Sequence, residues 1–312
     1  MSILVVGSVA FDTIETPAGR AERCLGGAAT HFALAASYFT EVRVIAVVGE
    51  DFLPQHEAVF SRRGIDTRGI DHAQGKSFFW SGAYQGTLNE AETRVTELNV
   101  FQSFSPRIPA EYMDSEYLFL ANIDPVLQTE VRSKLPDVRM VCGDTMNYWI
   151  EGHAQNLARV LPELDVLLIN DAETRLLGGT SNLVQAARAV LAKGPKTLVV
   201  KHGEFGATAF FGERSFSGNH LHQLTLPFCA PGLPLEKVVD PTGAGDSFAG
   251  GFYGYLASQP ELTPEVFKRA LFYGGVMGSF AVECFGTERL AELDPREIEE
   301  RFELFRQISH LD

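Results

Sequence analysis

Val239-Asp240-Pro241-Thr242-Gly243-Ala244-Gly245-Asp246 joins an apolar segment to a helical one through a glycine-rich turn. Lys237, Val238 and Val239 are expected to end a buried strand, and Ser247–Ala257 to form a helix. Gly243 and Gly245, with Ala244 between them, let the backbone turn tightly and present unobstructed N–H groups. Those amides, with the positive end of the following helix, make an anion site. Asp246 falls on the first helical turn, where its carboxylate is expected to be held ionised beside the bound anion. A carboxylate next to a phosphate cradle is what a kinase needs to deprotonate an attacking hydroxyl. A plainer reading stands beside it: glycine-rich strand-to-helix turns are common, and Asp is a good helix-start residue.

The rest of the chain supplies a matching frame. Apolar segments at Ile3–Gly7, Arg43–Val48, Glu116–Ala121, Val138–Gly143, Asp165–Asn170, Lys196–Lys201 and Lys237–Asp240 read as strands. Between them Ala28–Phe39, Phe52–Arg63, Pro125–Lys134, Asn182–Ala192, Ser247–Ala257 and Pro264–Val282 read as helices. Near-continuous apolar strands separated by helices predict an α/β fold with a mainly parallel sheet covered on both faces. Ligands in such folds bind at the carboxyl ends of the strands, where the polar motifs fall. From about Gly75 to Phe104 the pattern changes to antiparallel alternation. Together with Thr13–Cys24 this predicts a small protruding sheet. The chain, residues 1–312, is read as one domain carrying this excursion.

Composition narrows the function. The 312 residues are 45% hydrophobic and 21% charged, enough for a sizeable core. A formal charge of -14, with no Lys/Arg run, argues against a nucleic-acid surface. The four cysteines, Cys24, Cys142, Cys229 and Cys284, lie far apart without metal-ligand spacing and read as reduced thiols. Met1-Ser2 runs straight into an apolar strand, and no apolar run is long enough to span a bilayer. A cytoplasmic protein with no membrane partner is expected.

Asp240-Pro241-Thr242-Gly243-Ala244-Gly245-Asp246-Ser247-Phe248-Ala249-Gly250-Gly251-Phe252 closely resembles the C-terminal signature of the ribokinase-like (phosphofructokinase-B type) carbohydrate and nucleoside kinases. It departs in carrying Pro241 where many members have Thr or Ser; Pro suits a turn and leaves the following amides free. The resemblance extends over nearly the whole chain in the family's order. It implies a three-layer α/β/α fold with a small β lid, and an ATP-dependent kinase acting on a hydroxymethyl group. In it Asp246 would be the base, and the amides of Gly243, Ala244 and Gly245 would steady the transferring charge.

Further motifs take positions in that scheme. Asn170 and Glu173 follow a strand; three apart, they can aim an amide and a carboxylate at one spot. The same pair reads as a helix capping box, whereas the resemblance makes Glu173 a magnesium ligand and Asn170 a nucleotide contact. Lys201-His202-Gly203-Glu204-Phe205-Gly206 ends another strand in a turn that, in the family, lies against ATP. Lys201 could meet a phosphate, though a strand-end Lys is more often solvated. Gly274-Gly275 and the segment Ala281-Val282-Glu283-Cys284-Phe285-Gly286 loosely resemble the adenine wall. Asp240 would help to place a monovalent cation such as potassium, on resemblance alone.

On the acceptor side, Asp12 lies beyond the first strand and can accept two hydrogen bonds from vicinal hydroxyls. Gly26-Gly27 opens a helix and admits a sugar ring closely. His31 stands where the family usually has Asn, and reads either as a ligand contact or as a packed core residue. Asp144 and Asn147 follow a strand where sugar-acid kinases of the family carry an additional Arg. The missing Arg disfavours a charged sugar acid, so a neutral sugar or nucleoside is expected. Asn122 and Asp124 leave a further strand and read either as acceptor contacts or as a turn before Pro125.

Gly75-Lys76-Ser77 is not a P-loop, because the required upstream glycine falls at Ile70. The aromatics Phe78, Phe79, Trp80 and Tyr84 read either as a cover for the acceptor or as the seam of a lid-to-lid homodimer, with the seam preferred. A catalytically silent nucleotide-binding sensor on the same fold is the alternative to the kinase.

Overall fold

The computed structural model describes residues 1–86, 88–89, 91–212 and 226–309. Strands β1 (Ser2–Val6), β4 (Glu41–Val48), β5 (Asp66–His72), β8 (Tyr117–Leu120), β9 (Met140–Gly143), β10 (Val166–Asn170), β11 (Thr197–Lys201), β12 (Ala207–Phe211) and β13 (Phe228–Ala230) form one sheet. Its order is β13-β12-β11-β10-β9-β8-β1-β4-β5. Pairing is parallel from β5 to β11, and the last two strands form an antiparallel edge.

Alternation along the strands sorts the core into two layers. Ile3 and Val5 of β1 face α1 (Ala28–Ala36), α8 (Ala244–Ser258), α9 (Pro264–Ala281) and α11 (Pro295–Ser309). Leu4 and Val6 face the opposite way, toward α3 (Pro125–Lys134), α5 (Ala154–Val160) and α7 (Leu183–Leu191). The fold is the expected α/β/α sandwich. Parallel strands direct their carboxyl ends to one edge, and β10 there delivers Asn170 straight into α6 (Asp171–Gly178).

The second sheet has the order β3-β2-β6-β7, from β3 (Gly19–Gly26), β2 (Ala10–Thr16), β6 (Phe78–Tyr84) and β7 (Ala91–Glu97). It therefore reaches further back than Thr13–Cys24, taking in Asp12 and Gly26. Thr87 and Glu90 of the anticipated excursion lie outside the described residues. The excursion's last part, Asn99–Ser103, is a short 3-10 helix, and its Phe101 stacks on Phe78 at 5.4 Å.

One expected strand is absent: Lys237–Asp240 takes no place in the sheet. The β12–β13 hairpin holds that edge, and the Val239 amide instead donates to the Val282 carbonyl at 2.8 Å. Short α4 (Asn147–Gly152), α5, α6 and the amphipathic α11 lay outside the predicted helices. Helix α8 is buried along most of its length and crosses α1 closely. A β-carbon on Gly250 would come within 2.8 Å of Ala35 Cβ, and one on Gly254 within 2.9 Å of Ala36 Cα. Glycine thus sets the depth at which α1 and α8 meet, and so where the start of each helix stands.

Candidate active site

Gly243 caps α8 with φ 73°, the left-handed region that glycine occupies without strain. The Asp240 side chain organises the approach: one oxygen accepts the Thr242 amide at 2.8 Å, the other the Gly286 amide at 3.0 Å. Asp240 is fully buried, and burial raises its pKa. Asp246 follows on the first turn of α8. Its pKa is raised by burial, with Lys201 pulling it back down. Desolvation thus outweighs the stabilisation that the helix start and Lys201 give the Asp246 carboxylate.

Lys201 ends β11, and its ammonium lies over α8, 2.9 Å from where a β-carbon on Gly245 would stand. It is half-buried rather than solvated, and acts on Asp144, Glu173 and Asp246 together. Asp144 is 7% exposed, and burial, then Asp246, push its pKa well up. Glu173 is also raised, by burial first. Its Oε2 accepts the Asn170 amide at 2.8 Å while Asn170 Oδ1 accepts the Glu173 amide at 2.7 Å. The capping box is therefore real, and it fixes the Glu173 carboxylate beside Lys201 rather than leaving it to solvent.

Asp12, on β2, is 5% exposed and its pKa is pushed up to about 7 by burial, then by Asp240, with Asp246 adding to the rise. A side chain on Gly26 would collide with its carboxylate, and Gly27 adopts φ 95° against Ser8. Both glycines are required for Asp12 to sit where it does. His31 on α1 is 1% exposed and its pKa is lowered to about 4 by burial, so the ring is neutral. Neither ring nitrogen has a hydrogen-bond partner among the described residues, and the ring lies against Gly243.

A cleft of about 770 Å³ opens on the other side of the loop. Lys201, Gly203, Gly206, Ala244, Gly245, Gly275 and Val282 line it, as the sequence suggested, together with Leu233 and Ser279, which it did not. Gly203 (φ 57°) and Gly206 (φ 96°) shape its floor. Gly286 and Asn170 are not among the lining residues: Gly286 serves Asp240, and Asn170 the capping box. Leu233 carried no local sequence signal, because it sits in an irregular Pro/Gly segment.

Asn122 holds the Trp149 indole at 2.8 Å and Asp124 caps α3, so each is occupied structurally. Of the lid aromatics, Phe79 faces the Arg23 guanidinium at 5.7 Å and Trp80 donates to Thr93 at 3.2 Å. Tyr84 reaches the Thr242 hydroxyl at 3.3 Å.

The site thus gathers a desolvated carboxylate at a helix N-terminus, an ammonium over the same helix, a cleft lined by that ammonium, and the further, buried carboxylate of Asp12. The sequence pattern described as pfkB family carbohydrate kinase matches residues 2–293. The chain belongs to the pfkB family of carbohydrate kinases. Cytidine kinase from Thermococcus kodakarensis is 28% identical over 270 residues, covering 83% of this chain and 90% of that protein. The Methanocaldococcus jannaschii nucleoside kinase, an archaeal member of the ribokinase family, superimposes with a TM-score of 0.75. It is 18% identical, covering 97% of this chain and 98% of its own. A fructokinase double mutant from Vibrio cholerae, bound to fructose, ADP and potassium ion, gives 0.75 at 16% identity, with 96% and 97% covered. No described helix is long and apolar enough to cross a membrane.

Proposed function

We propose that this pfkB-family chain is an ATP-dependent kinase that phosphorylates a hydroxymethyl group, with a nucleoside as the favoured acceptor and a neutral sugar as the second class. The observation that carries the reading is Asp246, raised in pKa at the first turn of α8, between the Lys201-lined cleft and Asp12. The 28% identity to a cytidine kinase favours the nucleoside.

In this reading Asp246 orients the acceptor hydroxyl and takes its proton. The amides of Gly243, Ala244 and Gly245 and the start of α8 stabilise charge on the phosphoryl group in transit. Asp12 accepts hydrogen bonds from vicinal hydroxyls, and Gly26, Gly27 and the neutral His31 wall the ring. Asp144 completes the acceptor side. Lys201 meets the nucleotide phosphates, while Gly203, Gly206 and the apolar wall around Leu233 and Val282 take the rest of the nucleotide. Asp246 raises the pKa of both Asp144 and Glu173, and Lys201, which lines the cleft, opposes the rise at all three. Among the described residues no three carboxylates, histidines or cysteines group to hold a metal, so the fit for magnesium is a single carboxylate completed by phosphate and water. Glu173 would hold magnesium there; when bound, that ion supplies charge neutralisation on the polyphosphate. Asp240 would shape a neighbouring monovalent-cation site. The small sheet acts as the lid that excludes water as competing acceptor, and it is the face through which a homodimer would form. A cytoplasmic protein fits these small-molecule partners.

The test is phosphate transfer from Mg-ATP to a panel of nucleosides, neutral sugars, inositols and sugar acids. Turnover with a nucleoside is expected. Asp246→Asn should lower kcat by about 10²–10⁴-fold while Mg-ADP still binds. A wild type that binds Mg-ADP but transfers phosphate to no acceptor would favour the sensor reading.

A further inference from the structure

The small sheet touches the phosphate-handling loop at a point that none of the roles above requires. Tyr84, the last residue of β6, accepts a hydrogen bond from the Thr242 hydroxyl at 3.3 Å. Thr242 immediately precedes Gly243, and its amide is held by Asp240. Tyr84 is half-buried, and its hydroxyl pKa is pushed up to about 12 by burial, with Asp240, Asp12 and Asp246 adding to the rise. Its oxygen thus lies among the carboxylates of both halves of the site.

Two further contacts point the same way. On β2, the strand that carries Asp12, the Thr16 hydroxyl donates to the Val239 carbonyl at 2.8 Å, one residue before Asp240. Beyond Tyr84, Gly86, Leu88 and Asn89 line the same cleft as Lys201 and Gly245. There Asn89 Oδ1 lies 2.7 Å from where a β-carbon on Gly203 would stand. One sheet therefore presents Asp12 to the acceptor, Tyr84 to the cradle and Asn89 to the nucleotide turn.

We propose that Tyr84 is a positioning residue, whose bond to Thr242 locks the Gly243–Gly245 cradle to the acceptor-bearing sheet and so couples nucleotide binding to acceptor binding. This rests on the kinase reading. A ligand that favours the docked sheet favours the set cradle as well, and the coupling must be reciprocal. Without the Tyr84 hydroxyl the two sites lose their common contact.

The experiment titrates Mg-ADP into the wild type, with and without a saturating amount of the panel substrate that turns over fastest. It then repeats this for Tyr84→Phe, Thr242→Val and Thr242→Ser. In the wild type, acceptor should tighten Mg-ADP by roughly 5–150-fold. Tyr84→Phe and Thr242→Val should each reduce that factor to about 2 or less, and the double variant should reduce it no further. Thr242→Ser, which keeps the hydroxyl, should retain it. In steady state the apparent KM for ATP falls as acceptor rises in the wild type and is flat in Tyr84→Phe. Thermal melts of the variants should stay close to the wild type, since Phe keeps the buried ring. Coupling that survives in both Tyr84→Phe and Thr242→Val overturns the inference, as does an active wild type with no coupling; the kinase reading survives either result. A wild type that binds no Mg-ADP overturns both.

Discussion

The face of the His31 imidazole lies against the α-carbon of Gly243. A β-carbon built there would meet Cγ, Cδ2 and Cε1 of the ring at one common distance, well inside contact. The start of α8 is thus supported from below by a neutral, fully buried ring on α1. The ring packs against the loop while both its nitrogens are unpartnered among the described residues.

Gly243→Ala should consequently suffer twice. The left-handed backbone costs roughly 1–2 kcal/mol for a residue with a β-carbon, and the methyl must displace the ring. A lower melting temperature is expected, with turnover reduced by about 10²-fold or more through the disturbed cradle. Adding His31→Ala should recover part of the stability, because the steric half of the penalty disappears. Melts of the two single variants and the double decide this: strictly additive losses would show that the ring and the loop do not press on each other.

How far this was legible in the sequence depends on the kind of signal. The parallel strands announced themselves because both faces are buried, so β1, β10 and β11 read as unbroken apolar runs. Asp246, Gly243 and Gly245 were legible because a turn that offers amides needs glycine locally. Lys237–Asp240 misled because Val238 and Val239 look apolar, yet the backbone partners of Val239 are Val282 and Thr16, over 40 and over 200 residues away. The rise in the Asp246 pKa was not legible because the helix end is a local feature, whereas the burial that causes the rise comes from distant parts of the chain. Tyr84 was visible only as one aromatic among several. Its link to Thr242 spans a sequence separation of 158, beyond any periodicity.

Asp12 gives a pH signature of defined sign. Its folded pKa, about 7, exceeds the ordinary value of 3.8 through burial. The folded protein therefore holds a proton that the unfolded chain releases, and the Asp12 contribution to stability is lost as pH rises toward about 7. Asp12→Asn, which never ionises, should gain stability relative to wild type between about pH 4 and pH 7. The advantage should flatten above that, at a few kcal/mol, since each factor of ten in protonation is worth about 1.4 kcal/mol. The same substitution should weaken acceptor binding. Denaturant midpoints of both proteins across this range measure the effect, and a constant difference would mean that Asp12 titrates as an ordinary surface carboxylate.

Lys201 opposes the rise that burial imposes on Asp144, Glu173 and Asp246. Lys201→Met removes that opposition while keeping an unbranched apolar stem. All three carboxylates should then move further up in pKa. In the proposed mechanism Asp246 accepts the hydroxyl proton as the carboxylate, so the acid limb of kcat/KM should shift to higher pH. Mg-ADP should also bind about 10–100-fold more weakly, as a phosphate contact is lost. Lys201→Arg should not restore either property, because the planar fork needs more room than the point charge lying over Gly245. A pH–rate profile and a Mg-ADP titration on the two variants suffice. An unmoved limb with unchanged affinity would place the Lys201 ammonium in solvent, away from both the base and the phosphates.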